Sequence, residues 1–160
     1  MKLFLSLMSV LLLFLVGCRN IDTEYYLLPE NFIGRVTVIF DQDSGSAIKY
    51  EGGKRIYEIP ANGILRTQFH YEAGRVNHHY YYCGDKGKRT ELSIINYEYY
   101  KDGTTRYTQT NKDKVVIMGD GTYGQLGTEP PAKFQFFFVS SINGLDTIES
   151  YQHYNMRVGL

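Results

Sequence analysis

The chain opens on one apolar run and then changes to short alternating segments. From Leu3 to Val16 only Ser6 and Ser9 interrupt the hydrophobic residues, after a positive Met1-Lys2 start. A run of about 14 residues is too short for a membrane span, which needs roughly 20. It ends at Leu15-Val16-Gly17-Cys18. That is a signal peptide closing on a lipobox: small Gly17 precedes the cut, and the Cys18 thiol takes a diacylglycerol. Beyond it, the apolar period is two. Val36, Val38 and Phe40 share one side of a strand over Arg35–Phe40. Leu65, Thr67, Phe69 and Tyr71 share one side of a strand over 64–71, with Arg66, Gln68 and His70 on the other, the mark of a half-buried antiparallel strand.

Turn residues punctuate these strands. Gly52-Gly53 supplies the positive φ of a hairpin between strands at 47–50 and 55–59. Ala73-Gly74 turns the 64–71 strand into one over Arg75–Cys83, which pairs position 70 with 77 and 68 with 79. Residues 89–100 read as one long strand with a bulge at Ile94-Ile95, where the apolar phase shifts. Strands follow at 104–110, 114–118 and 133–140. The glycine-rich 119–127 segment between the last two reads as a mobile turn. Asp146 and Glu149 resemble a capping box, and Leu145, Ile148 and Tyr151 recur at helical spacing, so a short helix is expected over 146–155. The expected fold is all-β: an antiparallel sandwich or small barrel of about eight strands, with one short C-terminal helix. The expected divisions are a cleaved signal at 1–17, a lipidated tether at 18–28 and one β domain at 29–160.

Composition supports that picture and narrows the function. Removing 17 of 160 residues leaves 143, enough for one domain with a core. Lys2 leaves with the signal, so 16 basic residues face 17 acidic ones, and no bulk charge favours nucleic acid. Tyrosine occurs 15 times and phenylalanine 9 times, both suited to pleated surfaces. Cys18 is consumed by lipid, so Cys83 has no disulfide partner and reads as a buried thiol. One acyl chain anchors only marginally, whereas the two or three on a matured lipoprotein cysteine anchor durably. Arg19, rather than Asp, after Cys18 favours the outer membrane if the host has one.

Sites for chemistry are sparse. His70 and His79 would share a polar sheet face in the 64–71/75–83 hairpin, while His78 turns inward with Phe69, but a third metal ligand is not evident. Cys83 lies four or five positions from His79 and His78 on one strand, roughly 13–17 Å away at 3.3 Å per residue, beyond nucleophile–base reach. Asp41-Gln42-Asp43-Ser44-Gly45 fails the calcium-loop pattern, and Gly119–Gly124 lacks the lysine of a phosphate loop. No cofactor is implied. The tyrosines Tyr80, Tyr82, Tyr97, Tyr99 and Tyr100 are the candidate binding surface, because contiguous exposed aromatic area marks interfaces.

The segments Leu28-Pro29-Glu30-Asn31-Phe32-Ile33-Gly34, Val36–Phe40, Arg55–Pro60 and Asn62–Leu65 resemble a family of uncharacterised bacterial lipoproteins carrying a domain of unknown function. The resemblance covers about residues 28–71 and implies location and fold, with no catalytic residue. A fainter likeness is to transthyretin-like sandwich modules, by analogy only. The expected function is a membrane-anchored, non-enzymatic domain that binds another envelope component. The alternatives are an envelope hydrolase or metal-dependent enzyme at His70 and His79, and an inhibitor or immunity-type lipoprotein.

Overall fold

The computed structural model describes residues 22–95, 97–99, 105–107, 110–127 and 131–148. Eleven strands appear in chain order: β1 (Asp22–Pro29), β2 (Gly34–Ile39), β3 (Tyr50–Glu51), β4 (Lys54–Glu58), β5 (Ile64–Arg66), β6 (Val76–Cys83), β7 (Arg89–Leu92), β8 (Tyr97–Tyr99), β9 (Thr105–Tyr107), β10 (Val116–Leu126) and β11 (Ala132–Ser140). One sheet has the order β3-β4-β1-β6-β7, a second β10-β11-β2-β5, and β8-β9 form a ribbon. The two larger sheets face each other as a sandwich; among the described residues they do not close into a barrel, and only single bridges, Ile94–Ile117 and Ser46–Thr67, run beside the edges at β10 and β5.

The sheets are mixed rather than wholly antiparallel. β1 runs parallel to both β4 and β6, and β5 runs parallel to β2. The expected hairpin between 64–71 and 75–83 does not form. Instead, β6 pairs with β1 over all eight of its residues, and the chain from Thr67 to Arg75 crosses between sheets. The face assignment nevertheless holds: Leu65, Thr67 and Phe69 are buried, and Arg66, Gln68 and His70 are exposed. β1 also takes up residues that the sequence reading gave to a tether. Glu24, Tyr26 and Leu28 alternate inward, and the strand lies at the centre of the five-stranded sheet.

Two apolar clusters hold the layers. Between the sheets lie Tyr26, Leu28, Val36, Val38, Phe40, Tyr57, Leu65, Tyr80, Phe137 and Val139, among others. On the far side of the four-stranded sheet, Val116, Met118, Phe136 and Phe138 pack against Ile95, Leu145 and Ile148. Burying one such side chain contributes about 1.5–3 kcal/mol. Leu145 and Ile148 sit at and beside a short 3₁₀ turn, Leu145–Thr147, where the sequence predicts an α-helix. The rest of that predicted helix lies outside the described residues.

Two sequence features resolve differently from expectation. The phase shift at Ile94-Ile95 is a change of sheet, not a bulge. After Leu92 the chain leaves β6, and Ile95 N–H donates to Ile117 O while Ile117 N–H donates to Ser93 O, both at 2.9 Å. The glycine-rich segment is strand, within β10, with its register shift between Met118 and Thr122. Pairing to β11 overrides the low strand propensity of glycine. At Gly124 the reason is steric: a Cβ there would lie 2.3 Å from the Phe134 ring. The Gly52-Gly53 hairpin forms as expected, with φ of 56° and 79°.

Candidate functional site

Because β1, β4 and β6 are parallel and in register, their residues line up in rows. Glu24 lies between Arg55 and His78, and Tyr26 lies between Tyr57 and Tyr80. Both rows face inward. The tyrosine row is stacked, with Tyr26 4.9 Å from each neighbour's ring centre. The row beside it holds a buried carboxylate. Tyr26 donates to Glu24 Oε2 at 2.6 Å and Tyr57 donates to Oε1 at 3.0 Å. Arg55 Nη1 lies 3.6 Å from Oε1, and His78 Nε2 3.4 Å from Oε2. Arg55 also pairs outward with Glu72.

The Tyr26 hydroxyl lies 3.0 Å from the Gln135 amide as well. Its single proton is committed to Glu24, so the amide must donate. A half-turn of the amide meets this need, and it gives the otherwise unpaired, buried Nε2 of Gln135 an acceptor. Burial, then the neighbouring Glu24 charge, pushes the Tyr26 hydroxyl well above its ordinary pKa. The same two causes raise Tyr57. For Arg55, burial lowers the pKa, but hydrogen bonds to Glu72 and Tyr57 outweigh it and the net shift is upward. This network is structural in character: it neutralises and orients groups deep between two sheets.

The outer face of the same sheet is different. Tyr25, His79 and Tyr81 form a half-exposed ring cluster across β1 and β6. Tyr25 meets His79 at 5.4 Å and Tyr81 at 5.3 Å, both edge-on. Lys54 Nζ lies 5.4 Å from the Tyr25 ring centre. His79 Nδ1 is 2.9 Å from Glu91 Oε1. Burial, then the Glu91 charge, raises the Tyr81 pKa. Beside the cluster, β7 pairs only with Tyr80–Cys83 and then departs. The departure leaves a shallow groove of about 390 Å³ lined by His78, His79, Glu91, Leu92, Ser93 and Ile94.

The tyrosines expected at a surface do not all lie there. Tyr80 is wholly buried, and Tyr82 is half-buried, with its hydroxyl donating to Phe32 O at 2.6 Å. They share the inward face of β6 with His78. Tyr81 and Tyr25, which the sequence reading did not single out, take the outer face. Tyr97 and Tyr99 lie on β8, and Tyr100 lies outside the described residues. His70 and His79 are not brought together across a hairpin. His70, 82% exposed, pairs with Asp41, and His79 pairs with Glu91. Among the described residues, no group of three or more His, Cys, Asp or Glu side chains is placed to hold a metal. Cys83 is half-buried at the end of β6, opposite Arg89. No described helix is long and apolar enough to cross a membrane.

No curated protein matches the sequence. Among solved structures, the crystal structure of a putative lipoprotein from Bacillus anthracis is similar, with a TM-score of 0.53 and 18% identity. The match covers 74% of this chain and 71% of that one, and at this identity it speaks for the fold. A family profile matches residues 21–141, from the residue before β1 to the residue after β11, and the chain therefore belongs to a family of unknown function, DUF6843.

Proposed function

We propose that this chain is a lipid-anchored envelope protein whose domain binds another envelope component through the outer face of its five-stranded sheet. Cys18 is the lipid-bearing residue and Gly17 the last residue of the cleaved signal. Tyr25, His79 and Tyr81 are the contact rings. The observation that carries the reading is their mutual packing, half-exposed, on the central strands β1 and β6. Tyrosine gives large contact area at low entropy cost and tolerates water when unbound. The likeness in fold to the putative lipoprotein from Bacillus anthracis is consistent with the anchor.

The test is crosslinking capture from intact envelopes, with lipid labelling run in parallel. Tyr25→Ala and Tyr81→Ala should each weaken capture of the crosslinked partner while the fold is retained. Cys18→Ser should abolish lipid labelling. Capture that survives both tyrosine changes would exclude this face, and labelling that survives Cys18→Ser would exclude the anchor.

A further inference from the structure

We infer that the end of the sandwich where β1 begins is a second contact surface, and that its occupant is the interfacial layer of the membrane that holds Cys18. The inference rests on the lipid-anchor reading above. Four residue steps separate Cys18 from Asp22, so the start of β1 lies within about 14 Å of the acylated residue. The parallel arrangement then decides which other residues are held there. The starts of β4 and β6 lie beside the start of β1. β2 ends at this level and β11 begins there, because β1 and β2 join through a tight turn at the opposite end and β11 runs against β2.

This end carries a line of aromatic rings that closes the bottom of the core and emerges on both sides. Tyr50 meets Phe69 at 5.5 Å, Phe69 meets Tyr57 at 5.1 Å, and Tyr57 meets Phe40 at 6.2 Å. Phe40 meets Tyr71 at 5.6 Å, and Tyr71 meets Tyr123 at 5.5 Å. Phe69, Tyr57 and Phe40 are buried and Tyr71 is half-buried, whereas Tyr50 is 57% and Tyr123 44% exposed. Ile48, two residues before Tyr50, is exposed as well. Lys133 lies 4.7 Å over the Tyr71 ring. Tyrosines with a lysine beside them are the side chains that settle at a membrane–water boundary, with the ring in the apolar side and the polar tip in water.

The contact is aromatic rather than electrostatic. Of the cations at this end, Lys49, Arg55 and His70 are paired with Glu58, Glu72 and Asp41, while Lys54 and Lys133 lie over the Tyr25 and Tyr71 rings. No unpaired basic cluster is needed, and the interaction should hold on neutral lipid.

The chain contains no tryptophan, so single-tryptophan reporters read position directly. Acylated Tyr50→Trp and Tyr123→Trp proteins, with Ile33→Trp as the opposite-end control, are placed in phosphatidylcholine vesicles containing lipid brominated near the headgroup. Ile33 is exposed in the turn after β1; in the ladders Tyr50 is level with Glu24 and Tyr123 with Val38, each about five positions from that turn, or about 17 Å along the strands at 3.3 Å per residue. Several-fold stronger quenching of both Tyr-site reporters than of Ile33→Trp supports the inference. Equal quenching at both ends overturns it while leaving the anchor reading intact, provided the protein floats with the vesicles. Failure to float overturns both. Quenching that appears only after phosphatidylglycerol is added overturns the aromatic contact in favour of a charged one. If Tyr50→Trp does not fold, Ile48→Trp replaces it at the same end.

Discussion

Replacing Glu24 by alanine should destabilise the domain more than any surface change, because it removes the shared partner of four groups. Tyr26 and Tyr57 lose an acceptor, and Arg55 and His78 lose their inward carboxylate. Removing one member of a buried ion pair costs about 3–5 kcal/mol, because the other charge is left uncompensated. Arg55 retains Glu72, which places the cost nearer the lower figure, but each orphaned hydroxyl adds about 1–3 kcal/mol. A net loss of about 5 kcal/mol or more is expected, against a total stability of about 5–15 kcal/mol for a domain. With a urea slope of about 2 kcal/mol/M, the unfolding midpoint falls by about 2.5 M. Glu24→Gln keeps the shape and one acceptor and should lose only about 1–3 kcal/mol. The assay is urea unfolding followed by far-UV circular dichroism, fitted with a common slope. A Glu24→Ala loss below about 1 kcal/mol would refute the reasoning, since two buried hydroxyls and an inward guanidinium stripped of their shared acceptor cannot be that cheap.

Alkaline unfolding should begin near pH 10. The folded-state pKa values of Tyr26 and Tyr57 are raised, so their contribution is fully present below the unfolded value of 10.0 and is lost as pH climbs above it. Each group removes about 1.4 kcal/mol per pH unit in that window, and Tyr57→Phe should flatten the slope in a pH series of melting temperatures. A slope unchanged by that substitution would show that Tyr57 ionises in the folded state as it does in the unfolded one. The parity of β6 is tested by alanine substitution: Tyr80→Ala should lose about 3–5 kcal/mol as a buried aromatic does, and Tyr81→Ala much less. Equal losses in thermal or urea melts would contradict the assigned faces.

Alternation made the faces of single strands legible, and it did so even where the pairing was not. Val36, Val38 and Phe40 point inward as their period requires. Alternation also turns His78 inward, and the period of two then carries Tyr80 and Tyr82 with it. The sequence therefore held the signal that Tyr81, not its neighbours, faces out. The partners of β6 were not legible. A nearby turn at Ala73-Gly74 competes with a parallel ladder whose partner, β1, lies more than 50 positions away, and no local residue records that choice. Glu24 escaped for a related reason. A charged residue in Asp22-Thr23-Glu24 reads as solvated chain until Arg55 and His78 are known to flank it. The glycines of β10 fit poorly with strand propensity, and only the Phe134 ring over Gly124 shows why the small residue is kept.

The central position of β1 bears on how the domain carries load. A pull through an anchor at Cys18 enters the fold at Asp22 and runs along the axis of β1. On one side β1 is joined to β6 over eight aligned positions, and on the other to β4 over four. Such a force shears both ladders at once instead of peeling hydrogen bonds one after another. Under the proposed anchor, tension between the bilayer and a bound partner would therefore be spread across the sheet rather than concentrated at an edge.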